Sequence, residues 1–175
     1  MRPHATQEPV AGTFVFADLA GFTALTARWG DDIAAEVATA LTSAARRLAR
    51  GHGGELVKSM GDSVLLRTPD PDAGVRLGIA VSEAAPALRA RVGIHSGPAI
   101  PRNGDWFGLA VNLASRLCEQ AAPGEVLVSE PTWDAAGMQG PQGVARAVPL
   151  GPWLLGDAPE PVGVLAVRTP CGATS

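Results

Sequence analysis

The stretch "GGELVKSMGDSVLLRT" (residues 53–68) decides the fold. "GGELVKS" and "SVLLRT" are short strand-like runs, and "MGD" between them is a turn signal, so the stretch predicts a hairpin. Working outward, "DDIAAEVATALTSAARRLARG" (31–51) puts Ile33, Val37, Leu41, Ala45 and Leu48 on one helical face. Asp31 is expected as its N-cap and Gly51 as its stop. "TFVFADL" (13–19) before it reads as a strand. After the hairpin, "DPDAGVRLGIAVSEAA" (70–85) predicts a second helix with Asp70 as cap and Pro71 in the first turn. "LRARVGIHSG" (88–97) then predicts a strand.

Strand, helix, hairpin, helix, strand is the ferredoxin-like βαββαβ order of an α+β fold. Additions follow: a helix at "LAVNLASRLCEQA" (109–121), stopped by Pro123 and Gly124, and a strand at "GEVLVSE" (124–130). "GVARAVPL" and "PVGVLAV" read as late or edge strands, given their prolines. The expected layout is a flexible N-terminal segment (1–11), one domain (12–168) and a C-terminal tail (169–175).

The chain has 175 residues, 46% hydrophobic and 18% charged, with a net charge of −3. That supports one globular domain with a real core. No basic stripe points to nucleic acid, and no Lys/Arg-rich segment points to a membrane surface. No apolar run approaches spanning length, and "MRPHATQEPVAG" lacks the apolar centre of a signal peptide. Cys118 and Cys171 are too few for a disulfide framework and read as reduced thiols, so a cytoplasmic protein is expected.

In the βαββαβ order, the first and third strands are antiparallel neighbours at the sheet centre. Asp18, ending the first, should therefore meet Asp62, just before the third. Paired carboxylates suit a hard divalent cation, which binds through one or two of them plus waters and phosphates. Two such ions suit in-line phosphoryl chemistry. The turn after Asp18, "LAGFT", could hold a phosphate on its backbone N–H groups. The plainer alternative is a turn or cap role for Asp18 and an ordinary hairpin role for Asp62. Asn112 and Arg116, four apart, share a helix face, while Val111, Ala114 and Cys118 can face the core. Lys58 reads as sharing a face with Leu56. It lies roughly 13 Å along the chain from Asp62 at about 3.3 Å per residue, too far to serve the same end of a ligand. An edge lysine that discourages aggregation is the alternative.

"FADLAGFT", "VKSMGDSVL", "VGIHSGP", "GDWFGLAVNLASRL" and "APGEVLVSE" occur in this order. Together they resemble the class III nucleotidyl cyclase catalytic domain of the compact bacterial type, from about Gly12 to Gly137 and weakly to Val167. The resemblance implies that Asp18 and Asp62 hold two Mg²⁺ or Mn²⁺ ions, with the Leu19 carbonyl joining one. It implies that Ala20, Gly21, Phe22 and Thr23 form a phosphate-binding turn. Lys58 and Asp105 would read an adenine base, Asn112 would orient the ribose, and Arg116 would stabilise the transition state. Guanylyl cyclases usually carry Glu and Cys at the two base positions, so this pair implies ATP and an adenylate cyclase.

The resemblance also implies a head-to-tail homodimer with active sites at the interface, one subunit giving the aspartates and turn, the other the remaining groups. One departure stands out. Many relatives carry a late lysine near the triphosphate, where this chain has Leu154, Leu155, Gly156 and Asp157. The competing functions are a non-catalytic nucleotide-binding regulatory domain and a guanylate cyclase. No regulatory partner can be read from the residues.

Overall fold

The structure is a computed structural model, and it describes residues 8–84, 89–137, 146–156 and 158–168. The elements in chain order are β1 (Val10–Asp18), α1 (Phe22–Trp29), α2 (Asp31–Gly51), β2 (Glu55–Met60), β3 (Ser63–Thr68), α3 (Pro71–Ala84) and β4 (Arg91–Arg102). Then come β5 (Asp105–Phe107), α4 (Leu109–Gln120), β6 (Val126–Ser129), α5 (Glu130–Ala135), β7 (Arg146–Trp153) and β8 (Val162–Arg168). The sheet order is β2-β3-β1-β4-β6-β8-β7, with β5 paired to β4 off that path. The first four strands form the expected βαββαβ core. β6 joins parallel to β4, and β8 and β7 follow antiparallel.

Strand alternation sends neighbouring residues to opposite faces. On β1, Val15 and Ala17 enter a core with Leu41 and Ala45 of α2, Val75 and Leu77 of α3 and Trp133 of α5. Phe14 and the half-buried Phe16 face the other side, with Leu65, Ala110, Val111 and Ala114. α4 docks very closely there. A Cβ added at Gly93 on β4 would lie 2.2 Å from the Cys118 nitrogen and 2.3 Å from the Ala114 oxygen. Only glycine admits that approach.

Several expectations are corrected in detail. β1 begins at Val10, ahead of the expected Thr13. Gly30, not Asp31, caps α2, and Asp31 and Asp32 lie in its first turn, where negative charge suits the helix dipole. Leu41 and Ala45 are buried as expected, but Ile33 is 42% exposed, and its neighbour Ala34 is the buried residue of the first turn. Asp70 caps α3 as expected: its Oδ1 accepts from the Asp72 amide at 2.7 Å. α1, β5 and α5 were not expected. α1 has no fully buried residue: Phe22, Leu25 and Trp29 share one face and Phe22 packs partly buried against the core, but eight residues are a short run in which to establish a helical period. Cys118 is buried, whereas Cys171 and the expected tail (169–175) lie outside the described residues, as do residues 1–7.

β7 is one outer edge of the sheet, with Pro149 and Pro152 in it, and β2 is the other. Among the described residues no helix is long and apolar enough to cross a membrane.

Candidate active site

β1 stops at Asp18, which lies opposite Ser63 of β3 on one side and Arg91 of β4 on the other. Asp62 occupies the tight turn between β2 and β3, where Gly61 takes a left-handed φ of 65°. The Leu19 amide donates to the Asp62 carbonyl at 3.1 Å, tying the two strand ends together. The Asp18 and Asp62 carboxyls are near enough for the charge of one to act on the other. Burial, and then the adjoining Asp18 charge, push the Asp62 carboxyl above its usual range, against the opposing pull of its own backbone amide. A pair that repels in this way is primed to accept positive charge. One cation is already present: the Arg91 guanidinium pairs with Asp18. Nothing in the sequence reading singled out Arg91, because its place beside Asp18 depends on the β1–β4 register.

The turn beyond Asp18 runs from the buried Leu19 through Ala20 to Gly21, whose φ of 76° caps α1. Phe22 and Thr23 open that helix, so their amides fall in the first turn, where N–H groups have no partner within a helix.

Lys58 is not on the same face as Leu56. The β2–β3 register shifts between these residues: Leu56 lies opposite Leu66, and Lys58 lies opposite Leu65. Leu66 faces the α2 side and Leu65 the α4 side. The irregularity at Val57 therefore turns Lys58 to the α4 face. There its Nζ donates to Asp105 Oδ2 at 2.6 Å. That hydrogen bond, foremost, holds the Asp105 carboxyl below its usual range. Asp105 reaches Lys58 because "RNGD" is a two-residue hairpin turn, with Asn103 at φ 52° and Gly104 at φ 78°. Asn-Gly is the strongest short sequence signal for such a turn.

Asn112 and Arg116 lie on the exposed face of α4, while Val111, Ala114 and Cys118 are buried, as expected. They line a groove of about 220 Å³ with Leu109, Leu113, Ser115, Glu119 and Leu155. Arg116 Nη1 donates to Glu119 at 2.7 Å, and the backbone at Gly156 runs close to the Arg116 side chain. The chain thus brings together Asp18 with Asp62, Lys58 with Asp105, and Asn112 with Arg116. The groove around Arg116 has none of the other four in its lining.

Among the described residues, no group of three or more His, Cys, Asp or Glu side chains gathers as a metal cage. Mg²⁺ needs only one or two carboxylates from the protein, with waters and phosphates completing its shell, so the donor chemistry of Asp18 and Asp62 fits such an ion.

No family model matches the chain. It is similar to a pH-sensitive adenylate cyclase of Mycobacterium tuberculosis, 38% identical over 144 residues, which cover 76% of this chain and 35% of that protein. It is also similar to an adenylate cyclase of Streptomyces coelicolor, 40% identical over 119 residues, covering 65% of this chain and 31% of that protein. The chain therefore spans about a third of the length of these curated relatives. Among solved structures, the adenylyl cyclase CyaB of P. aeruginosa superposes with a TM-score of 0.80 at 23% identity, over 98% of this chain and 100% of that one. With this fold and these sequence relatives, the chain belongs to the class III nucleotidyl cyclase catalytic domains.

Proposed function

We propose that the chain is an adenylate cyclase, converting ATP to 3′,5′-cyclic AMP and pyrophosphate at a site shared between two copies. The observation that carries this reading is the Lys58–Asp105 pair at 2.6 Å, a donor and an acceptor fixed side by side. Such a pair matches the acceptor and donor on the Watson–Crick edge of adenine, and it stands apart from the Asp18–Asp62 end.

Asp18 and Asp62 would hold two Mg²⁺ or Mn²⁺ ions, with the Leu19 carbonyl joining one. Such ions supply acidification of the ribose 3′-hydroxyl and neutralisation of the triphosphate. The amides of Ala20–Thr23 hold phosphate oxygens at the start of α1. Arg91, released from Asp18, adds a cation there. This matters because the late stretch Leu154, Leu155 and Gly156 offers none; Asp157 lies outside the described residues. Asn112 orients the ribose so that attack is intramolecular. The bond from the 3′-oxygen to the α-phosphorus forms, and the bond from that phosphorus to the bridging oxygen breaks. Arg116 neutralises the charge that grows on the phosphoryl oxygens.

Separation of the groups in one chain supports the head-to-tail homodimer. Two symmetric copies would pair the aspartates and turn of one with Lys58, Asp105, Asn112 and Arg116 of the other, giving two sites. A substrate of the ATP class suits a cytoplasmic location.

The deciding experiment incubates the purified chain with Mn²⁺ and ATP, or GTP, and identifies the product by mass. Cyclic AMP is expected. Cyclic GMP in preference would make it a guanylate cyclase. Tight nucleotide binding with no product would make it a regulatory nucleotide-binding domain.

A further inference from the structure

β5 is only three residues long and meets the sheet face through few side chains. Phe107 is 54% exposed, and the Asp105 carboxylate is spent on Lys58. What anchors the strand is Trp106. Its ring meets Phe14 at 5.9 Å between centroids, tilted by 59°, and the Arg67 guanidinium lies 4.1 Å from its centre. The register explains the meeting. Glu55, Arg67, Phe14 and His95 face one another across β2, β3, β1 and β4, forming one row under β5.

Arg67 is itself held in place. Its Nη2 donates to the Ala11 carbonyl at 3.1 Å, and Glu55 stands 3.7 Å from Nη1. Its Nε is buried without a hydrogen-bond partner. A Cβ at Gly12 would come within 2.7 Å of that Nε, so the missing side chain at Gly12 makes room for the guanidinium. The indole is therefore clamped between a buried aromatic ring and a fixed cation, an arrangement that gains from cation–π attraction. Trp106 also touches the pair directly: its amide donates to Asp105 Oδ1 at 2.8 Å, while Lys58 takes Oδ2.

We propose that Trp106, clamped by Phe14 and Arg67, is a positioning residue that sets where the Asp105 carboxylate stands against Lys58, and so sets base selectivity. Selectivity rests on the reading that this pair contacts the base; the positioning itself does not. A displacement near 1 Å at a recognition group is enough to cost up to about a hundredfold.

The experiment compares Trp106→Leu, Trp106→Phe, Arg67→Met and Lys58→Ala in the full chain. Two readouts are taken: the ratio of kcat/KM for ATP over GTP, and the Asp105 carboxyl titration followed by carbon NMR. In Trp106→Leu the ratio should fall by roughly tenfold, and the Asp105 pKa should rise towards the ordinary carboxylate range. Trp106→Phe should restore both. A merely structural role would lower the melting temperature and move neither readout.

The proposal is overturned if folded Trp106→Leu keeps the wild-type Asp105 titration. Should that variant not fold, the same result in Arg67→Met overturns it. If Lys58→Ala leaves the ATP-to-GTP ratio unchanged, base reading by the pair is refuted, and the Asp105 titration still decides the positioning claim.

Discussion

Replacing Gly93 by alanine tests the docking of α4 on the sheet. The new Cβ would sit 2.2 Å from the Cys118 nitrogen and 2.3 Å from the Ala114 oxygen. Ordinary van der Waals contact begins near 3.4 Å, so the helix must withdraw by about 1 Å (3.4 less 2.2). Both atoms are backbone, and no side-chain rotation can relieve the clash. Overpacking of a tight core costs about 1–3 kcal/mol, and a backbone clash belongs at the upper end. At about 2–4 °C per kcal/mol for a chain of this size, the melting temperature should fall by roughly 6–12 °C. Gly51→Ala is the control: it lies at the end of α2 with nothing within 4 Å of the added carbon, and it should be neutral or slightly stabilising. Since α4 carries Asn112 and Arg116, nucleotide turnover per folded molecule should also drop, by up to about a hundredfold. Circular dichroism melts and a cyclase assay at matched folded fraction measure both effects. A Gly93→Ala melt within about 2 °C of wild type would refute the close docking.

Asp18→Ala or Asp62→Ala should abolish cyclic AMP formation while the far-ultraviolet circular dichroism stays native; near-wild-type turnover in either would remove the metal assignment. Mixing Asp18→Ala with Arg116→Ala subunits should restore activity, up to about half the wild-type value per heterodimer. A heterodimer shown to form yet as inactive as its parents would place the whole site in one chain. Burial pushes the His95 imidazole from 6.5 down to about 4, so the folded state stays neutral while the unfolded chain takes up a proton. Stability should therefore fall on acidification from about pH 6.5 towards 4, by up to about 1.4 kcal/mol per pH unit. His95→Asn should flatten that slope in urea titrations at pH 7, 6 and 5, and an unchanged slope would assign it to other groups.

What the residues revealed and what they hid follow from range. The meeting of Asp18 and Asp62 was legible because topology alone brings those strand ends together. The buried face of α4 was legible because Val111, Ala114 and Cys118 follow helical spacing. Lys58 was placed on the wrong face because a single irregular residue, Val57, reverses the alternation, and only pairing with β3 reveals it. Arg91 was invisible for a similar reason: its role at Asp18 comes from cross-strand register. α1 was not legible because its apolar face, Phe22, Leu25 and Trp29, spans only eight residues, shorter than the window over which a helical period can be read. β5 is different. Its Asn103–Gly104 turn is a hairpin signal in the sequence, but three residues are too short a run to show alternation.

The outer strands carry a consequence for how this domain can associate. A proline in a paired edge strand turns its nitrogen outward, so Pro149 and Pro152 present β7's open side with ring carbons where an incoming backbone would seek donors. At the opposite margin, β2 has only six residues and is broken in register at Val57. Neither border offers the long, flat row of free amides that templates fibre growth. Copies of this chain are thereby steered away from open-ended polymerisation by strand addition and towards closed contacts through side chains. The exposed Phe107, Leu109 and Leu154 supply apolar surface for such contacts.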